Sequence, residues 1–348
     1  MSYFSLIVSA TLTSALCAQQ VPTSAPTTAP ASQPGATTEL DLRINPFVDL
    51  HYHVRARLEE PTGLPGPAGQ PEAVEAARKM EAALGGRTEW GLIEPTLARC
   101  QTAAEAVEAC ARLPATYKLR SGTEVQIREG AVELARAYVG LEQDFRQSVW
   151  PEHRGVIENA RDHIVSTLIP KQAACFQQIL GHLDMKDPHL KIPVYLVADA
   201  PLPGGFTHRQ RDQAGMCFVA VREPVESLIY ETVMHEAIHV LDFATAKQDT
   251  ALTALRKRLT AAGWGSPAPE FRDVPHMLMF VESGEAIRRC LVPGHEHYGD
   301  MMGYYDAFPE IARAVRPAWT EYLNGEISRD AALERIVTTL RPAKPPGP

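Results

Sequence analysis

The sequence predicts an α+β fold, mostly α, from three observations. Residues 72–183 are dominated by Ala, Leu, Glu and Arg, the composition of good helix formers. Two short segments rich in β-branched and aromatic residues follow, KIPVYLV (191–197) and MCFVAV (216–221). Helical sequence then resumes from about residue 224. Helices, a small sheet and helices again is the order of an α+β protein. With 348 residues, 45% hydrophobic and 22% charged, the chain has room for one large domain or two ordinary ones and the composition of a soluble globular protein. Its formal charge is 34 − 42 = −8, which argues against nucleic acid as a partner, because phosphate binding needs a basic footprint.

Taken in order, residues 1–18 (MSYFSLIVSATLTSALCA) are apolar and end on a small residue, Ala18, as a cleaved secretory signal peptide does. Residues 19–39 form a Pro/Thr/Ser/Ala tract with too little apolar surface to order itself, expected to be a solvated linker. Together they predict a secreted or periplasmic protein. Residues 40–185 are expected to form a helical N-terminal region, broken at Gly85-Gly86, Pro114, Ser121-Gly122, Pro151 and Pro170. At its start, 45–58 alternates in part and is expected to begin as a strand, with His51 and His53 on one face, an ordinary structural pair in preference to a pair of metal ligands. Residues 186–341 should carry the chemistry, with helices near 224–244, 250–261, 275–291 and 329–340, and residues 342–348 a disordered tail. Five cysteines remain after the signal, an odd number with no CxxC, and they are read as small buried hydrophobes. No other stretch reaches the roughly 18–20 apolar residues that span a bilayer.

The chemistry lies in His235-Glu236-Ala237-Ile238-His239, an HExxH inside a predicted helix. Histidines at i and i+4 project from one helix face a turn apart, so both imidazoles reach one metal ion, here expected to be zinc. Glu236 is then placed for a water rather than for the metal. A catalytic zinc usually has a third protein ligand. A metzincin would place a third His six residues past His239, where this chain has Thr245. Acids on the later segment 274–291 (VPHMLMFVESGEAIRRCL) are the alternative, because an unpaired charge in apolar surroundings is costly. Glu285, flanked by Ser283, Gly284 and Ala286, is preferred as ligand; Glu282 is the other choice, as ligand or as acceptor for a ligand His.

An HExxH followed by a Glu on a downstream helix resembles the gluzincin class of zinc peptidases, over roughly residues 190–340. Residues 274–289 also resemble a group of uncharacterised exported bacterial proteins. The resemblance implies a zincin-like core and an exported zinc metallopeptidase acting on a peptide or protein, with His235, His239 and Glu285 as ligands and Glu236 as general base. The chain departs from thermolysin in lacking an Asn before the Glu and in the spacing to it.

Other roles rest on single residues. Asp242 could accept the free N–H of a ligand His. Tyr298 or His276 could donate to a developing oxyanion. If His276 is helical, nine residues before Glu285 puts it half a turn out of phase with that ligand, which favours Tyr298. The edge of the strand 216–221 could hold an extended peptide. Two further functions are consistent with the motif: hydrolysis of a non-peptide amide, and a zinc-binding scaffold. An intact Glu236 speaks against the scaffold.

Overall fold

The computed structural model describes residues 37–58, 67–119, 122–201, 204–209, 215–223, 225–264 and 269–340. The expected signal, nearly all of the linker and the C-terminal tail lie outside the described residues. The chain opens with β1 (Glu39–Ile44), α1 (Pro46–Ala56), α2 (Gln70–Leu84), α3 (Glu94–Leu97) and α4 (Ala103–Ala111). A short hairpin, β2 (Thr116–Lys118) and β3 (Glu124–Gln126), leads into α5 (Arg128–Ser148), α6 (Trp150–Thr167) and α7 (Gln172–His182). Strands β4 (Lys191–Val197), β5 (Gly205–His208) and β6 (Met216–Ala220) precede α8 (Glu226–Ala244). Then come α9 (Ala251–Ala261), α10 (Pro269–Cys290), α11 (Tyr298–Met301), α12 (Tyr304–Ala307), α13 (Pro309–Leu323) and α14 (Arg329–Leu340). The protein is mostly helical with a small mixed sheet, and no helix among the described residues is long and apolar enough to cross a membrane.

The main sheet has the order β1-β4-β6-β5. The first three strands are mutually parallel, and β5 runs antiparallel to β6 with Phe206 opposite Phe218. Alternate side chains of the central strands enter different cores. Val194, Leu196, Cys217 and Val219 pack with Val233, Ala237 and Ile238 of α8. Tyr195, Val197, Phe218 and Ala220 pack with Val48 and Tyr52 of α1. The sheet is therefore sandwiched between α1 and α8, which is why β4 and β6 read as continuous apolar runs. A separate core joins α1, α2, α4 and α5.

Three expectations change. The linker ends before residue 39: Thr38 is buried, its Oγ1 donates to Asp187 (2.5 Å), and Glu39 opens β1 beside Lys191. The N-terminal region thus contributes a strand to the same sheet as the later segments. Residues 46–56 are helical, not extended. Asn45 caps α1 by accepting from Phe47 N (2.9 Å), and Pro46 takes the first turn, where its missing N–H costs nothing. Finally, β6 is flanked by β4 and β5, so the terminal strand of the sheet is β5. The five cysteines are free, and four of them are buried.

Candidate metal centre

Helix α8 starts after an extended Val225 and is buried along nearly its whole length. That burial fixes the rotation of the helix, and with it the face that carries His235 and His239. Their Nε2 atoms lie 3.2 Å apart. The third imidazole at this point is His276 of α10, whose Nε2 is 3.1 Å from that of His235. Because α10 begins at Pro269, His276 lies within the helix. Nine residues at 100° each is 900°, so His276 and Glu285 do face opposite ways. It is His276 that faces α8.

The three nitrogens fit one metal ion. Ligands about 2.0–2.1 Å from a tetrahedral zinc stand about 3.3 Å from one another, close to the separations here. Burial lowers all three histidines: His235 well below the usual range, His239 to about 4 with help from Arg256, and His276 to about 3 with help from His239. At neutral pH the imidazoles are uncharged and can present lone pairs, as ligands must. The Nδ1 of His276 lies 3.1 Å from the Tyr304 hydroxyl, which leaves Nε2 as the lone-pair nitrogen when Nδ1–H donates. Phe280 stacks on the His235 ring (centroids 3.9 Å apart) and excludes water from that side. His235 is buried, whereas His239 and His276 are half-buried, so the cluster opens to solvent along one edge.

Glu236 faces β5. It accepts from Thr207 Oγ1 (2.5 Å). A Cβ on Gly205 would come within 2.6 Å of its Oε1, so only glycine lets the strand pass this close to the carboxylate. Burial pushes the Glu236 carboxyl up to about 7, against the opposing pull of the Thr207 hydrogen bond.

The other predicted site residues fall elsewhere. Glu285 is not at the histidine cluster: it pairs with Arg288 and with Arg289 (2.9 Å), and His297 Nε2 is 3.4 Å away. Burial alone would raise it, but hydrogen bonds from His297, Arg289 and Arg288 hold it at about 2. Its small neighbour Gly284 admits the ring of His297, not α8, since a Cβ there would lie 2.6 Å from that ring. Glu282 is bound by His182 Nδ1 (2.9 Å) and Trp319 Nε1 (2.8 Å). Asp242 receives both arms of Arg256 and no histidine. Tyr298 lies near the start of β5, its hydroxyl 3.8 Å from where a Cβ on Gly204 would sit. The tyrosine that touches the histidines is Tyr304, which the sequence reading did not single out.

Sequence reasoning also missed Glu231, one turn before His235 on α8. It accepts from His295 Nε2 (2.6 Å) and Tyr298 N (2.7 Å), and so fixes the segment that carries Tyr298. The acid one turn upstream on the motif helix was the available signal.

The terminal strand is held from its far side by Glu94. This buried carboxylate accepts from Arg55 (2.5 Å), Tyr52 (3.0 Å) and His51 (2.9 Å), and it also pairs with His208 of β5. Arg55 in turn lies over the rings of Trp90, Phe206 and Tyr52. The N-terminal helices thereby fix the strand that contacts Glu236. Compared with known proteins, the chain matches no family model, no curated protein and no solved structure.

Proposed function

We propose that the protein is an exported zinc-dependent peptidase in which His235, His239 and His276 hold the metal and Glu236 is the general base. The observation that carries this reading is the convergence of three imidazole nitrogens, two of them on the helix that also carries a buried acid that is not one of them. A structural zinc site has no use for such an acid. Zinc bound there would polarise the scissile carbonyl and lower the pKa of water. Glu236, buried and not a ligand, is the group that would take a proton from the attacking water and return it to the leaving amine. Thr207 orients that carboxylate. Tyr298, kept protonated by burial and with its hydroxyl near Gly204, would serve as the hydrogen-bond donor to the developing oxyanion. The terminal strand β5, only partly buried, offers backbone donors and acceptors to an extended substrate, which favours a peptide over another amide.

This reading keeps the zincin-like expectation and replaces its acidic third ligand with a histidine. Digestion of a peptide library, followed by mass spectrometry, tests it. Glu236→Gln should retain zinc and lose about 10²–10⁴-fold in rate, or about 2.7–5.4 kcal/mol of barrier. A variant that cleaves at the wild-type rate would eliminate Glu236 as the base. Activity on a cell-wall digest and on no peptide would move the substrate to the non-peptide class. Export rests on residues 1–18 and is tested by the N-terminal sequence of the native protein, expected to begin near Gln19.

A further inference from the structure

A second group of potential ligands lies on other elements. His53 of α1, His153 of α6 and Asp199, just past β4, each offer one ligand atom, and these lie within 4.8 Å of one another. Both histidines are buried, at 2% and 3% exposure, whereas the Asp199 side chain is 27% exposed and reaches solvent.

The hydrogen bonds set the tautomers. His153 Nδ1 lies 2.7 Å from Asp49 Oδ2, and a carboxylate only accepts, so Nδ1 carries the proton. Asp49 is itself held by Ala198 N on its other oxygen (2.7 Å). His53 Nε2 lies 3.1 Å from the side-chain amide oxygen Oε1 of Gln70, again an acceptor. That leaves the lone pairs on His153 Nε2 and His53 Nδ1. The first lies 3.4 Å from Asp199 Oδ2, and the second is buried with no hydrogen-bond partner. A lone pair facing a carboxylate, beside an unpartnered buried nitrogen, is an arrangement that lacks a cation.

We propose that His53 Nδ1, His153 Nε2 and the Asp199 carboxylate form a second metal site, for a borderline first-row divalent ion such as zinc. Two imidazoles and a carboxylate are a donor set for this class of ion. Ligands about 2.0–2.2 Å from zinc stand about 3.3–3.5 Å apart, so His153 and Asp199 are already at ligand spacing. The Asp49–His153 pair is the carboxylate–histidine arrangement that orients metal ligands. Arg222 Nε, 3.0 Å from Asp199 Oδ1, positions the carboxylate and leaves Oδ2 for the ion. The ion would tie α1 to α6 and to the end of β4. The site shares no ligand with the His235 cluster.

Equilibrium dialysis against zinc with elemental analysis tests the assignment. The wild-type chain should bind two equivalents. His235→Ala/His239→Ala should keep one, and adding Asp199→Ala to that pair should leave none. Asp199 is partly exposed, so its truncation opens no core cavity, and Asp199→Ala alone should reduce two equivalents to one. Zinc should also raise the melting temperature of the double variant, as an ion that binds only the folded state does. The proposal falls if the wild-type chain binds one equivalent and the folded double variant none. It falls equally if Asp199→Ala and His53→Gln both leave the count unchanged. In either case the His235 cluster is unaffected.

Discussion

The Glu94 cluster and the His235 cluster are two polar centres of the protein built on opposite principles. Around Glu94 the partners complement it: Arg55, His51, Tyr52 and His208 all donate to one carboxylate. Burial opposes ionisation there, but Arg55 and then His208 hold Glu94 well below the usual carboxylate range. Around His235 the groups are alike. Three imidazole nitrogens meet, and each is pushed toward the uncharged form. The first centre is complete in itself and stabilises the fold. The second, on the function proposed, would gain its stability from a bound metal. A buried polar cluster thus points to function when its members share one role as donor or acceptor, not merely when it is buried.

The largest expected effect breaks the second centre. His276→Ala should remove the equivalent of zinc held by the His235 cluster and all hydrolysis with it, read by elemental analysis and peptide cleavage. Retention of a full equivalent by the His235 cluster would return the third ligand to an acid. Next comes the first centre. Glu94→Gln leaves Arg55 as a buried, unpaired charge and should cost about 3–5 kcal/mol in urea unfolding. Zinc stoichiometry should hold, and loss of metal in that variant would mean the two centres are not separable.

Glu285 sharpens the contrast, because it behaves like Glu94 and not like a ligand. Its folded carboxyl is held at about 2, against 4.5 ordinarily, and because Arg288 and Arg289 are partly exposed, solvent screening leaves about 1–2 kcal/mol of that. The folded value is the lower one, so this stabilisation is present above pH 4.5 and is lost as pH falls toward 2. Glu285→Gln should lower stability at pH 7 by about that amount, shrink the difference from wild type as pH falls through this window, and keep the metal. A variant that loses zinc at unchanged stability would reverse the assignment. The smallest effect is expected from Tyr304→Phe, which removes the partner of His276 Nδ1. Zinc affinity should fall about 10–100-fold, measured by competition with a chelator, with the fold intact.

The sequence by itself determined what is local. The i, i+4 spacing of His235 and His239, the apolar runs of β4 and β6, and the bounds of α9 and α14 follow from periodicity and composition within one segment. So does the half-turn offset between His276 and Glu285. Two misreadings have the same origin. In 46–56, a capped helix start outweighed a weak alternation, and because i and i+2 lie about 200° apart on a helix, His51 faces Glu94 while His53 faces His153. Strand β5, four residues among Gly and Pro, was too short to carry a period. Only the tertiary structure decided which side of α10 meets α8. Helical phase fixes the angle between two residues but not the rotation of the helix as a whole. That rotation was set by Phe280 packing on His235, by Trp319 and His182 closing over Glu282, and by His297 fitting against Gly284.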